Sequence, residues 1–129
     1  MKNLLKILLI SGILLSGSTS LNAEEIYLSK QTNKNYGVDV KVYDDLKIGN
    51  NEFNVKIFHQ TAPLNKANVS FKLFKPNGEI IEYKSNTANE NYNYVFNINL
   101  EEKGEYKYIV TYHVMIGGVT RDSRGSFKL

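Results

Sequence analysis

The chain has 129 residues and contains no cysteine and no tryptophan, with only two methionines and two histidines. The lack of cysteine excludes disulfides, a thiolate nucleophile, and thiolate ligation of zinc or of a blue-copper centre. A small domain without disulfides depends on its hydrophobic core for stability. A strong charge excess is also missing, because 16 Lys and Arg face 13 Asp and Glu. The sequence therefore lacks the excess of Lys and Arg that is typical of nucleic-acid-binding proteins, and no nucleic-acid partner is expected.

The main apolar run lies at the N-terminus and is followed by small residues. Residues 1–23 begin with Lys2 and Lys6, continue through the apolar stretch 4–15 and end in LNA. This order is typical of a secretory signal peptide, here cleaved after Ala23. A membrane helix needs roughly 20 apolar residues, so this stretch is too short to span. We expect a periplasmic or secreted chain with no transmembrane span after cleavage.

The exported part divides into a polar segment and a domain. Residues 24–35 have one apolar cluster, at 26–28. This segment is either a flexible leader or a short strand at a sheet edge, and its polarity favours the leader. Residues 36–129 have the length of one compact domain.

Apolar and polar residues alternate along the domain in short segments, which is the pattern of half-buried β-strands. Turn-forming residues separate the segments, as in KPNG at 75–78. The fourth segment is short and is expected at a sheet edge. The seven predicted strands lie in GVDVKVYDD, EFNVKIFHQ, NVSFKLF, EIIEYK, YNYVFNINL, EYKYIVTYHV and VTRDSRGSFKL. Their core-facing residues are predicted to be Val38, Val40, Val42, Phe53, Val55, Ile57, Val69, Phe71, Leu73, Tyr92, Tyr94, Phe96, Ile98, Leu100, Tyr106, Tyr108, Val110, Tyr112 and Val114.

About seven short strands over this length predict an all-β, immunoglobulin-like antiparallel β-sandwich. The stretch LEEKGEYKY at 100–108 adds a local feature of that fold. Its spacing is typical of a tyrosine corner, in which the Tyr106 hydroxyl bonds back to the preceding turn. Tyr108 then stands where antibody domains have a cysteine. The alternative is a tyrosine-rich strand that merely follows a glycine turn.

The order of the segments also carries a family resemblance. YGVDVKVYDDLKIGNNEFNVKI, APLNKANVSFKLFKPNGE, KGEYKYIVTY and a closing strand make residues 36–129 similar to the exported YtkA-like and FixH-like domains. The resemblance implies a small immunoglobulin-like sandwich beyond the membrane, often near respiratory-oxidase or metal-handling functions. Many such relatives carry a methionine-rich stretch after the third strand, where this chain has FKPNGEIIEYKSN without methionine. This departure weakens the copper role that the resemblance implies.

His59, His113 and Met115 are the candidate metal ligands. Imidazole and thioether groups both bind copper, and the thioether favours Cu(I). The second and sixth predicted strands run toward the same end of the sandwich, which places these residues near one another. Strand alternation directs His113 and Met115 outward and His59 inward, so one shared ion requires bent strand ends. The alternative is a solvated His113, an edge-covering Met115 and a partly buried His59 at the rim.

Other polar groups fit known chemistry less well. Asp44 and Asp45 offer oxygen ligands for calcium, but adjacent strand residues point to opposite faces and no calcium-binding loop follows. Residues 120–126, with Ser123 between charged side chains, show no base or oxyanion group at a catalytic spacing. Charged residues in a last strand are also expected as protection against edge pairing. The tyrosines offer rings on which sugars or peptides could stack. The favoured interpretation is that they are core residues.

Three classes of function follow from these observations. The preferred one is a non-catalytic accessory or binding module of the bacterial cell envelope that acts on a protein partner. The second is a copper-binding or copper-delivery protein that uses His113 and Met115, with His59. An enzyme is disfavoured, since the sequence shows neither a paired nucleophile and base nor a cofactor motif.

Overall fold

The computed structural model describes residues 25–31, 36–114 and 118–129. These residues form nine β-strands, all paired antiparallel. In chain order the strands are β1 (Ile26–Gln31), β2 (Tyr36–Val42), β3 (Gly49–His59), β4 (Ala62–Pro63), β5 (Asn68–Phe74), β6 (Ile80–Ser85), β7 (Tyr94–Leu100), β8 (Glu105–Val114) and β9 (Val119–Lys128). Across the described ranges no helix is long and apolar enough to cross a membrane.

The strands form the two layers of a β-sandwich. The first sheet has the order β1-β2-β3, with β7 paired to the first half of β3 and the short β4 paired to its end. The second sheet has the order β6-β5-β8-β9. The predicted immunoglobulin-like architecture is confirmed, and each of the seven predicted segments contains a strand. The fourth segment is β6, and it lies at a sheet edge as expected.

The core lies between the sheets and consists largely of the alternate residues that the sequence pattern selects. Ala67 and Phe127 belong to it without having been predicted, and Val114 packs against it half-buried. Each inward-facing side chain in a strand is separated by one residue from the next, because successive side chains point to opposite faces. Phe53, Phe71, Tyr108 and Phe127 form a connected set of ring contacts across the layers. The buried apolar residues are Val38, Val40, Val42, Phe53, Val55, Ile57, Ala67, Val69, Phe71, Leu73, Tyr94, Phe96, Ile98, Leu100, Tyr106, Tyr108, Val110, Tyr112 and Phe127.

Two details differ from the sequence prediction. The segment expected to be a leader contains β1, which pairs with β2 over residues 26–31. The apolar residues Ile26 and Leu28 pack against the core from this strand, and this packing is the physical reason that the segment joins the sheet. Tyr92 does not face the core: it has a positive φ of 65° and is 39% exposed, since β7 begins only at Tyr94. The predicted signal peptide, 1–23, lies outside the described residues.

The predicted turns have the expected chemistry. Pro76 and Gly78 occupy the turn after β5, where the Gly78 amide donates to the Lys75 carbonyl at 3.0 Å. Gly78 has φ +92°, a conformation that glycine adopts at little cost. β8 and β9 pair as far as Val114 and Val119.

Candidate functional site

The two histidines lie at the same end of the sandwich, which we call the His59 end. β2 begins there at Tyr36, and Tyr36 is the register partner of His59, the last residue of β3. The second sheet reaches this end through Tyr112 of β8, whose ring centroid lies 6.3 Å from that of Tyr36. The ends of β3 and β8 thus lie at the same end of the sandwich, as predicted from the direction of these strands.

Three side chains at the His59 end form a layered contact, which we call the rim stack: Tyr36, His59 and Arg121. The Tyr36 and His59 rings are nearly parallel, with an interplanar angle of 9° and centroids 4.8 Å apart. The guanidinium carbon of Arg121 lies 5.1 Å from the centre of the Tyr36 ring, which is cation–π distance. His59 and Arg121 are exposed and Tyr36 is half-buried. The rim stack therefore presents cationic and aromatic surface to solvent.

Tyr112 supports the rim stack from the core side. Its side chain is 1% exposed, and burial raises its pKa to about 12, although the Arg121 charge acts in the opposite direction. Burial disfavours the phenolate because a charged group loses hydration in the protein interior. Tyr112 is therefore a neutral, rigid base for the Tyr36 ring at ordinary pH.

His113 lies on the outer face of the second sheet, as strand alternation predicted. Its Nδ1 atom is 2.7 Å from Oγ1 of Thr120, the residue opposite it on β9. The ring borders an open groove of about 580 Å³ across β5, β6 and β8, which is also lined by Asn68, Glu82 and Thr111. The hydrogen bond fixes the ring orientation.

The structure does not bring the histidines into one set of ligands. His59 stacks with Tyr36 at the rim between the sheets, and His113 bonds to Thr120 on the outer face. Met115 lies outside the described residues. In the described ranges, no three side chains of His, Asp or Glu form a cluster that could hold a metal ion.

The outer face of the first sheet carries a polar cluster that the sequence interpretation missed. The ammonium group of Lys41 lies 5.7 Å and 5.6 Å from the ring centres of Tyr27 and Tyr43 and 3.3 Å from a Glu25 carboxylate oxygen. Only 6% of Asp39 is exposed, and burial raises the pKa of its carboxyl group. The VDVKV alternation did place Asp39 and Lys41 on the face opposite the core. It carries no information about which side chains of other segments bury them there. The sequence feature that could have indicated this cluster is the apolar group at 26–28, which contains Tyr27.

The other polar candidates have simpler surroundings. Asp44 and Asp45 are exposed beside an open polar cavity of about 270 Å³. Ser123 is 1% exposed and faces inward from β9. Asp122 points outward and accepts a 2.9 Å hydrogen bond from Thr111. Ser123 and Asp122 thus lie on opposite faces of one strand.

Comparison with known families identifies a match for most of the domain. A family model described as YtkA-like matches residues 30–111, from within β1 to within β8. No curated protein and no solved structure matches the chain.

Proposed function

The chain belongs to the YtkA-like family, and from this premise we propose that it is an exported, non-catalytic binding module of the bacterial cell envelope that acts on a protein partner. The rim stack is the observation that carries this proposal. Tyrosine and arginine are enriched among the residues that dominate protein–protein binding energy. The related FixH-like resemblance extends the same proposal toward partners in respiratory-oxidase or metal-handling systems.

The rim stack also has the rigidity that favours binding. Tyr36 is held by the β2–β3 pairing and by the rings of His59 and Tyr112. Side chains that are already ordered lose less conformational entropy when a partner binds. The partner surface that suits this stack has an acidic group to face Arg121 and an apolar or aromatic group to cover Tyr36.

The test compares two arginines of the same strand. We expect Arg121→Ala to weaken capture of a specific protein from an envelope extract at least about tenfold, as expected for loss of an interface anchor. Arg124→Ala is the matched control, because Arg124 is also exposed but lies on the outer face of β9. Crosslinking followed by quantitative mass spectrometry measures the capture.

Each result of the capture experiment has a definite meaning. Equal capture by wild type and Arg121→Ala removes the rim stack from the binding surface. Equal loss with Arg121→Ala and Arg124→Ala indicates general electrostatic attraction instead of a defined site. Failure to capture any protein, together with tight copper binding, favours the second candidate below.

The second candidate function is copper binding or delivery by His113 and Met115. It is supported by the Nδ1 contact of His113 with Thr120, since a hydrogen bond at one ring nitrogen orients the other as a metal ligand. His59 belongs to this candidate as a third ligand only if the strand ends bend from their positions here. A bound copper ion would supply redox or transfer chemistry, and His113 would hold it on the outer face.

Metal titration of the purified protein tests this candidate. We expect saturable Cu(I) or Cu(II) binding that weakens at least about tenfold in the His113→Ala, Met115→Leu double variant, because the imidazole and the thioether ligand are both lost. His59→Ala measures whether the third residue contributes. Histidine NMR shifts report which ring responds to the metal. Unchanged stoichiometry and affinity in the double variant would exclude His113 and Met115 as ligands.

A further inference from the structure

β6 is an accessible edge strand. Among the described strands it pairs with β5 alone, and its six residues alternate between exposed and half-buried. β7 of the opposite sheet runs nearby but leaves all six residues of β6 accessible. A strand of this kind offers backbone N–H and C=O groups to a further strand.

Edge charges normally discourage such pairing, but the two charges of β6 have opposite signs. Glu82 and Lys84 are two residues apart, both are exposed, and both point away from the core. Two identical strands that pair antiparallel about a two-fold axis place residues symmetrically around the central residue. With Tyr83 at the centre, each Glu82 lies opposite Lys84 of the second copy. Centring on Glu82 or on Lys84 instead places like charges opposite each other, so among registers centred on the middle of β6, at residues 82–84, the charges favour the one centred on Tyr83.

The remaining groups of β6 agree with this register. Ile80 is 55% exposed, and its diagonal neighbour across the axis is Lys84 of the second copy, whose aliphatic stem can cover it. Glu82 accepts a hydrogen bond from Ser70 through Oε2, and in this register its carboxylate can also pair with the cross-strand lysine. Tyr83, half-buried on the inner face, meets its own copy at the axis.

We propose that the chain forms a two-fold symmetric dimer in which β6 pairs antiparallel with β6 of a second copy, centred on Tyr83. The four-stranded sheets of the two copies then join into one continuous sheet of eight strands. The proposal is independent of the partner-binding function, because the rim stack is built from β2, β3 and β9.

Charge reversal with complementation tests the pairing. Glu82→Lys and Lys84→Glu each place like charges across the axis, and each variant should dimerise about tenfold more weakly than wild type. A mixture of the two variants pairs lysines with glutamates again and should recover the wild-type affinity as a heterodimer. Ser70→Ala is the control for loss of the Glu82 hydrogen bond and should dimerise normally.

Sedimentation equilibrium of the purified proteins over a dilution series measures these affinities, and near-ultraviolet circular dichroism verifies that each variant is folded. Amide hydrogen exchange in 80–85 should slow as the dimer forms. A wild-type protein that stays monomeric throughout the series would overturn the proposal. So would a dimer that both charge reversals leave intact, since the two copies would then meet through another surface or register.

Discussion

Tyr106 and Tyr108 project from the same face of β8, and their hydroxyl groups stabilise different parts of the fold. The Tyr106 hydroxyl donates to the Glu102 carbonyl at 2.5 Å, which confirms the predicted tyrosine corner. The Tyr108 hydroxyl instead reaches across β9 and donates to Ser29 of β1 at 2.7 Å. Local spacing in the chain predicts the first bond, because its acceptor lies four residues away in the turn before β8. The second bond joins residues that are 79 positions apart, and no local pattern contains it.

Gly125 is the residue that makes room for Tyr108. A Cβ atom at this position would lie 2.3 Å from the Tyr108 hydroxyl oxygen and 2.4 Å from the adjoining ring carbon. Contacts this short force the tyrosine or the β9 backbone to move. The glycine is therefore required by packing and not by its backbone conformation.

We predict that Gly125→Ala lowers the free energy of unfolding by about 1–3 kcal/mol, the usual cost of overpacking a core. In a Tyr108→Val background, which removes the ring that the Cβ atom meets, the same substitution should cost much less. Urea denaturation of the four proteins of this double-mutant cycle measures the coupling. Equal costs in the two backgrounds would show that Tyr108 is not the group that excludes a side chain at Gly125.

β1 illustrates how an element can belong to a fold without a strong sequence signal. It contributes two half-buried apolar residues, Ile26 and Leu28, and covers the edge of β2. It also lies beside β9, where Ser29 accepts the hydrogen bond from Tyr108. The strand thus closes one side of the sandwich by joining the two sheets.

A chain that begins after Gln31 should be less stable by at least roughly 2 kcal/mol than one that begins at Glu25, because it loses the apolar contacts of β1. It should also aggregate more readily, since the edge of β2 becomes unpaired. Thermal unfolding and size-exclusion chromatography measure the two effects. The same melting temperature and elution volume for both chains would mean that residues 25–31 behave as the leader that their polarity indicated.

The core of the whole molecule contains several buried phenols. Tyr94, Tyr108 and Tyr112 are at most 1% exposed, and burial raises the pKa of each hydroxyl group. Such groups make the fold less stable as the pH rises into the alkaline range, because a phenolate is poorly accommodated in the interior.

The effect is clearest for Tyr112. In the unfolded chain its hydroxyl ionises near its ordinary value of 10.0, whereas in the folded chain its pKa is about 12. Rising pH across this window releases the proton from the unfolded chain first and so favours unfolding. We predict that Tyr112→Phe reduces the loss of stability between pH 10 and 12, as measured by urea denaturation at a series of pH values. Tyr92→Phe removes an exposed phenol instead and is the control for the loss of a hydroxyl group; an equally steep decline in the Tyr112 variant would contradict the prediction.

Much of this architecture was determined by the sequence alone. Alternation placed Val38, Val40 and Val42 on the core face, and it directed His113 outward and His59 toward the rim between the sheets. Prolines and glycines located the turns, and the Gly104-x-Tyr106 spacing indicated the tyrosine corner. These features are local, since the side-chain period of a strand and the conformations of turn residues are properties of neighbours in the chain.

Only the tertiary structure decided the contacts between distant elements. It placed Arg121 over Tyr36, buried Lys41 beside Tyr27 and Tyr43, and made the polar segment at 26–31 into a strand. It also placed His59 at the rim between the sheets and His113 on the outer face of the second sheet, although both histidines lie at the same end of the sandwich. Such outcomes depend on which side chains face one another across two layers, and a repeating pattern within one strand carries no information about what the opposite strand supplies.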